Sequence, residues 1–110
     1  MKSYKIIQQD SAKDDVRRYV DYIIGRENSR VNAERWLAGL LAEIRTLQEL
    51  PRRCPRIPEQ ELFEIELRQF VYHSHRVIFH VSEETNVVHV LRIYHGALPE
   101  LEAWQIKPPG

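Results

Sequence analysis

The stretch Arg76–Gly96 limits the possible folds more than any other part of the chain. It reads Arg-Val-Ile-Phe-His-Val, then Ser-Glu-Glu-Thr-Asn, then Val-Val-His-Val-Leu-Arg-Ile-Tyr-His-Gly. Two strand-length arms rich in Val, Ile, Phe and Tyr, joined by an insert of turn composition without an apolar residue, predict a β-hairpin. A strand with one wet face alternates apolar and polar residues, but Val77–Val81 and Val87–Ile93 are interrupted only by His80, His89 and Arg92. Both faces of the hairpin therefore need cover.

Register decides which side chains meet. A four-residue loop, Glu83–Asn86, pairs Ser82 with Val87 and sets Arg76 opposite Ile93, so that Arg76, Ile78, His80, His89, Leu91, Ile93 and His95 share a face. A slip by one groups Arg76 with Arg92 and Tyr94 instead. The first register is the expected one, because four-residue hairpin loops are common.

Upstream, Tyr4–Gln8 reads as a short strand. Asp10 or Ser11 offers an N-cap, and Val16, Tyr19, Val20 and Ile23 recur at helical spacing, which predicts a helix over 12–24 ended by Gly25. Lys13, Asp14, Arg17, Arg18 and Asp21 form its solvated side. A second helix opens after Asn28 or Ser29 with a stripe of Ala33, Trp36, Leu37, Leu40, Leu41, Ile44 and Leu47, and Pro51 ends it. Trp36 lies on that stripe and is read as a core anchor. The short loop between the helices forces an antiparallel pair. Pro51–Pro58 is a stiff basic connector carrying Arg52, Arg53 and Arg56, with Glu59, Glu61, Glu64 and Glu66 following to neutralise them. Leu62–Leu67 alternates as a half-buried strand, and Arg68–Ser74 reads as a turn.

After Gly96, a short helix from near Pro99 presents Leu98, Leu101 and Trp104, and Lys107–Gly110 frays. The order predicts an α+β domain: an N-terminal strand and an antiparallel helix pair on one face of a mostly antiparallel four-stranded sheet. The length of 110 residues fits one domain, with an ordered core over about 4–96 and a tail over 97–110.

Sixteen basic and sixteen acidic side chains cancel, so bulk charge draws the chain to neither nucleic acid nor membrane. Cys54 is the only cysteine, which rules out an internal disulfide and fits a reducing compartment. The Met1–Lys5 start lacks a signal-peptide apolar run, and no segment approaches the roughly 20 apolar residues of a membrane span. A cytoplasmic location is expected. All five histidines lie between His73 and His95, yet no carboxylate or cysteine completes a ligand pattern, so no metal and no cofactor is expected.

Taken together, Ala33-Glu34-Arg35-Trp36-Leu37, Leu50-Pro51-Arg52-Arg53, His75-Arg76-Val77-Ile78-Phe79 and Val90-Leu91-Arg92-Ile93-Tyr94-His95-Gly96 give the chain a resemblance to the RelE/ParE superfamily. These are toxins of type II toxin–antitoxin pairs, also described as plasmid-stabilisation proteins. The resemblance spans about Tyr4 to Gly96. Where many members follow the His-Gly step with a basic and acidic run, this chain has Ala97-Leu98-Pro99-Glu100.

The resemblance implies one of two activities. On the RelE side it implies a ribosome-dependent endoribonuclease; Arg76 and His95 match residues of such members, Glu59 serves as acid or base, and Arg68 contacts phosphate. On the ParE side it implies a non-enzymatic inhibitor that binds DNA gyrase. The neutral charge and the absence of lysine between Lys13 and Lys107 favour the ParE side, because binding in an RNA-rich site gains from a basic surface. A third reading is a non-toxic interaction module of the same fold. Each residue also has a structural reading: Arg76 and Arg92 pairing with Glu64 or Glu66, His95 hydrogen-bonded at a strand exit, Arg68 on a surface turn.

The helix pair covers only one sheet face. Ile78, Leu91 and Ile93, with Arg92 and Tyr94 beside them, are therefore expected to form an apolar surface for a cognate antitoxin, unless Leu98, Leu101 and Trp104 fold the tail across it. A homodimer or a toxin–antitoxin hetero-oligomer is the corresponding assembly.

Overall fold

The polar loop Glu83–Asn86 closes a hairpin between β3, His75–Ser82, and β4, Val87–His95, in a computed structural model that describes residues 2–109. The remaining elements are β1, Lys5–Gln8; α1, Asp10–Glu27; α2, Arg30–Arg45; and β2, Arg68–Tyr72. The sheet runs β1-β4-β3-β2, with β1 parallel to β4 and the other pairs antiparallel. This is the expected α+β architecture. Its third strand is displaced: β2 occupies the segment read as a turn, while Gln60–Leu62 is a single 3-10 turn and the stretch up to Leu67 is irregular. Gln60 holds that stretch, donating to the Ile65 carbonyl and accepting from the Leu67 N–H.

Both helices end differently from their simplest reading. Helix α1 continues past Gly25 to Glu27 and stops at Asn28, whose φ of 51° is the left-handed conformation asparagine tolerates. Ser29 caps α2 by accepting the Asn32 N–H. At the start of α1, neither Asp10 nor Ser11 caps; the Ser11 hydroxyl donates to the Leu91 carbonyl.

The helix-side core contains Leu40, Ile44 and Leu47 against Val77, Phe79, Val88, Val90 and Ile93, with Trp36 packed against it. Gly39 lets Tyr72 approach α2: a Cβ there would stand 2.2 Å from the tyrosine oxygen, which donates to the Trp36 carbonyl. Alanine at position 39 gains about 1 kcal/mol of helix propensity. It also forces Tyr72 out of place at about 1–3 kcal/mol and breaks its hydrogen bond at about 1 more. Gly39→Ala is therefore expected to lower stability by about 1–3 kcal/mol in urea denaturation, and adding Tyr72→Phe recovers part of the loss.

The hairpin register is neither of the two simple alternatives. From the loop, Ser82 pairs with Val87 and Phe79 with Val90; then Leu91 is skipped, so Ile78 pairs with Arg92, Val77 with Ile93 and Arg76 with Tyr94. This β-bulge switches β4 from the first register to the second partway along its length. It moves Ile93 to the helix side, correcting its expected place beside Ile78 and Leu91. The bulge falls where β1 has ended, and α1 side chains take over the open edge of β4. After Gln9 N–H has bonded to Val90, Ser11 reaches the Leu91 carbonyl and Asp15 accepts the Ile93 N–H.

The second sheet face is also a core. Ile78 and Leu91 pack with Ile57, Leu67, Tyr94, Leu101 and Ile106, flanked by Phe63 and Ile65. The connector supplies one half of this cover and the tail the other. Ile78 is 0% and Leu91 1% exposed, so the expected open surface for a partner is absent from the described residues. The ordered core therefore extends beyond residue 96, to Ile106. The tail forms only a 3-10 turn, Ala103–Gln105, and turns Leu101 and Ile106 inward while Leu98 and Trp104 face solvent. Lys107–Pro109 have no regular secondary structure, and Gly110 and Met1 lie outside the described residues. Among the described residues, no helix is long and apolar enough to cross a membrane.

Candidate functional site

Of the residues proposed for RNA cleavage, Arg76 and Glu59 meet each other, whereas Arg68 pairs elsewhere and His95 lies on the opposite face from Arg76. Arg76 lies on the sheet face under the tail, where its two terminal nitrogens donate to the Glu59 carboxylate at 2.9 and 2.6 Å and its Nε donates to Gln69. Glu59 also accepts the Leu101 N–H at 3.0 Å. The Arg76 guanidinium, seconded by Leu101, holds the Glu59 carboxyl below the usual carboxylate range against the opposing effect of burial. A carboxylate so held is a poor proton carrier near neutral pH. Arg68 is tied down as well, donating to Glu66 at 2.9 Å and to the Cys54 carbonyl at 2.6 Å. Burial raises the Glu66 carboxyl, but Arg68 and Arg56 outweigh it and leave it lowered. His95 pairs with His75 and points to the helix side, the opposite face from Arg76.

The alternative structural readings of these arginines also change partner. Arg76 pairs with Glu59 and Arg92 with Asp15, rather than either with Glu64 or Glu66. Asp15 was not singled out in the sequence, yet its carboxylate takes hydrogen bonds from Arg92 Nε and Nη2, Arg18 and the Ile93 N–H. Its position four residues before Tyr19, beside the apolar stripe of α1, was the available signal. Arg92 Nη1 then donates to the Gln105 carbonyl, and Tyr94 donates to Pro99, so both residues hold the tail instead of facing a partner.

Beside this clamp is a cleft of about 520 Å³ between α1, the ends of β3 and β4, and the tail. Its inner wall is an aromatic cluster. The His75 ring stands 4.2 Å from Tyr19, 5.3 Å from Trp36 and 4.7 Å from His95, centre to centre, each nearly edge-on. His75 is 3% exposed and its Nδ1 has no hydrogen-bond partner; Trp36 Nε1 is likewise buried without one. Burial, with the nearby His95, presses the His75 pKa down to about 4, outweighing the opposite pull of Asp15. Unfolded, this histidine takes a proton near pH 6.5. Between about pH 6.5 and 4 the unfolded chain therefore binds a proton that the folded chain refuses, and stability falls with pH. A loss on the order of 3 kcal/mol is expected across that window. Thermal unfolding against pH measures it, and His75→Phe should flatten the profile there.

Among the described residues, no group of three or more His, Cys, Asp or Glu stands close enough to hold a metal ion. What the chain places together instead is two buried ion pairs that clamp a tail and an aromatic cleft at its edge.

This arrangement of two helices on a four-stranded sheet is shared with solved toxin–antitoxin structures. One, from the chromosomal ParDE TA system of P. aeruginosa, superposes with a TM-score of 0.69 at 14% identity, covering 86% of this chain and 98% of the other. Another, from the toxin–antitoxin complex RelBE2 of Mycobacterium tuberculosis, gives 0.58 at 18% identity, covering 84% and 98%. At these identities the likeness concerns the fold. Sequence carries the assignment further: the model of the ParE toxin of the type II toxin–antitoxin system parDE matches residues 6–98, and the chain belongs to that family. Among curated proteins, none matches its sequence.

Proposed function

We propose that this toxin acts by binding DNA gyrase without chemistry of its own, in the cytoplasm, and is neutralised by a cognate antitoxin. The observation that carries the reading is the engagement of Arg76, Glu59 and Arg68 in ion pairs and hydrogen bonds within the fold, with Arg76 and Glu59 on the sheet face opposite His95. Metal-free RNA cleavage needs a proton acceptor, a proton donor and phosphate-binding cations around one point. Membership in the ParE family supports the same branch. An antitoxin as partner is supported by the two toxin–antitoxin assemblies that share the fold.

The test is a supercoiling assay with the purified chain and gyrase, beside induced expression in a bacterial host. Gyrase inhibition predicts loss of supercoiling and a DNA-damage response. Fragmented messenger RNA with intact supercoiling would assign the chain to the ribonuclease branch. Harmless expression with gyrase unaffected would leave a non-toxic interaction module.

A further inference from the structure

The cleft beside the tail has a wall that lies outside the family match. The match ends at residue 98, whereas Pro99, Glu100, Glu102, Trp104 and Gln105 form the outer side of the cleft. Its volume, about 520 Å³, lies within the roughly 300–1,000 Å³ of small-molecule sites. Flat rings line it: Tyr19 and Tyr22 from α1, Tyr94 from β4 and Trp104 from the tail. Trp104 is 75% exposed, and its Nε1 donates to Glu102.

Hydrogen-bonding capacity is left over at the inner end. His75 is almost wholly buried, and its Nδ1 has no hydrogen-bond partner. His95 accepts the Ala97 N–H at its Nδ1, which leaves the proton of the neutral ring on Nε2. A buried polar atom without a partner costs about 1–3 kcal/mol, so a ligand that reaches this imidazole recovers the loss. Charge narrows the ligand. Asp15, Glu100 and Glu102 outnumber Arg18 and Arg92 around the cleft, and Arg92 is already committed to Asp15 and Gln105. A phosphate gains nothing there.

We propose that this cleft binds an uncharged planar nitrogen heterocycle, of the size of indole or a purine nucleoside, between the tyrosines of α1 and Trp104, with its polar edge on His75 and His95. Offset and edge-on ring contacts supply the affinity, and the imidazoles fix the orientation. Because the ring contacts both α1 and the tail, its binding favours the docked tail. The proposal is independent of the gyrase reading.

The test follows the histidine ring resonances by NMR while indole, adenosine or adenosine monophosphate is added to the full chain. Indole or adenosine should shift His75 and His95 saturably and leave exposed His73 unmoved. The monophosphate should bind more weakly than adenosine. Trp104→Ala removes an exposed ring and should leave the melting temperature unchanged while weakening binding about fivefold or more. The proposal is overturned if neither neutral compound moves the two resonances up to its solubility limit, if the monophosphate binds as tightly as adenosine, or if Trp104→Ala binds like the parent.

Discussion

Replacing Asp15 with alanine is expected to lower the free energy of unfolding by about 3–5 kcal/mol, as read from urea denaturation. The carboxylate is 6% exposed and accepts four hydrogen bonds, two of them from Arg92, whose side chain is 16% exposed. Without it, Arg92 keeps its charge in a largely dry place, and the Ile93 N–H loses its acceptor on an edge that β1 does not reach. Arg18 is the control. It touches the same carboxylate but its side chain is 72% exposed, so Arg18→Ala should cost less than about 1 kcal/mol. Equal losses for the two substitutions would show that Asp15 matters through surface charge and not through the buried clamp. A domain of this kind has about 5–15 kcal/mol in all, so the Asp15 variant should also lose most of its soluble yield.

Periodicity located both helices and the hairpin because each buries a regular stripe: Val16 to Ile23, Ala33 to Leu47, and the β-branched runs around Glu83–Asn86. The structure departs from that reading where the pattern is not local. The bulge at Leu91 leaves no mark in composition, since Leu91 and Arg92 read equally well in either register. It arises because α1, 80 residues away along the chain, offers Ser11 and Asp15 to that edge of β4. The third strand was placed on Leu62–Leu67 because apolar residues alternate there, but those residues supply Phe63, Ile65 and Leu67 to the second core as an irregular cover. The true strand, Arg68–Tyr72, carries Arg, Gln and an exposed Val71 on a sheet edge, where little alternation is required.

The site was legible as residue types rather than as partners. Arg76, Glu59, Arg92 and Tyr94 were all singled out, and all of them are functional to the fold: they fasten residues 99–105 across the sheet. Two-sided apolar strands stated the need for cover correctly. The occupant was misassigned because the tail's apolar residues, Leu101 and Ile106, are spaced by neither three, four nor two, and so carry no periodic signal. The proposed antitoxin would therefore meet a sheet already covered on both faces, so its contacts would have to fall elsewhere or displace the tail.

Glu59→Ala is the direct measure of that fastening. Arg76, whose side chain is 15% exposed, would lose both carboxylate bonds, and the Leu101 N–H would lose its acceptor. A loss of about 3–5 kcal/mol is expected, concentrated in the tail. Hydrogen exchange at Leu101 and the methyl shifts of Ile106 should then report an undocked tail even where the helix-side core, with Phe79 at its centre, remains folded. Acid should do the same to the parent chain. The folded pKa of Glu59 is depressed, mainly by Arg76, so its stabilisation is fully present above the unfolded carboxyl range and is lost as pH falls through the lower folded value. That window lies below the one set by His75, and the two should separate: global stability declines first, then the Leu101 amide loses protection. Glu59→Gln keeps an acceptor for Leu101 but cannot titrate, so its tail protection should be weaker at neutral pH and independent of acid in the lower window. A Leu101 amide equally protected in parent and Glu59→Ala would mean that Leu101 and Ile106 hold the tail by apolar packing alone.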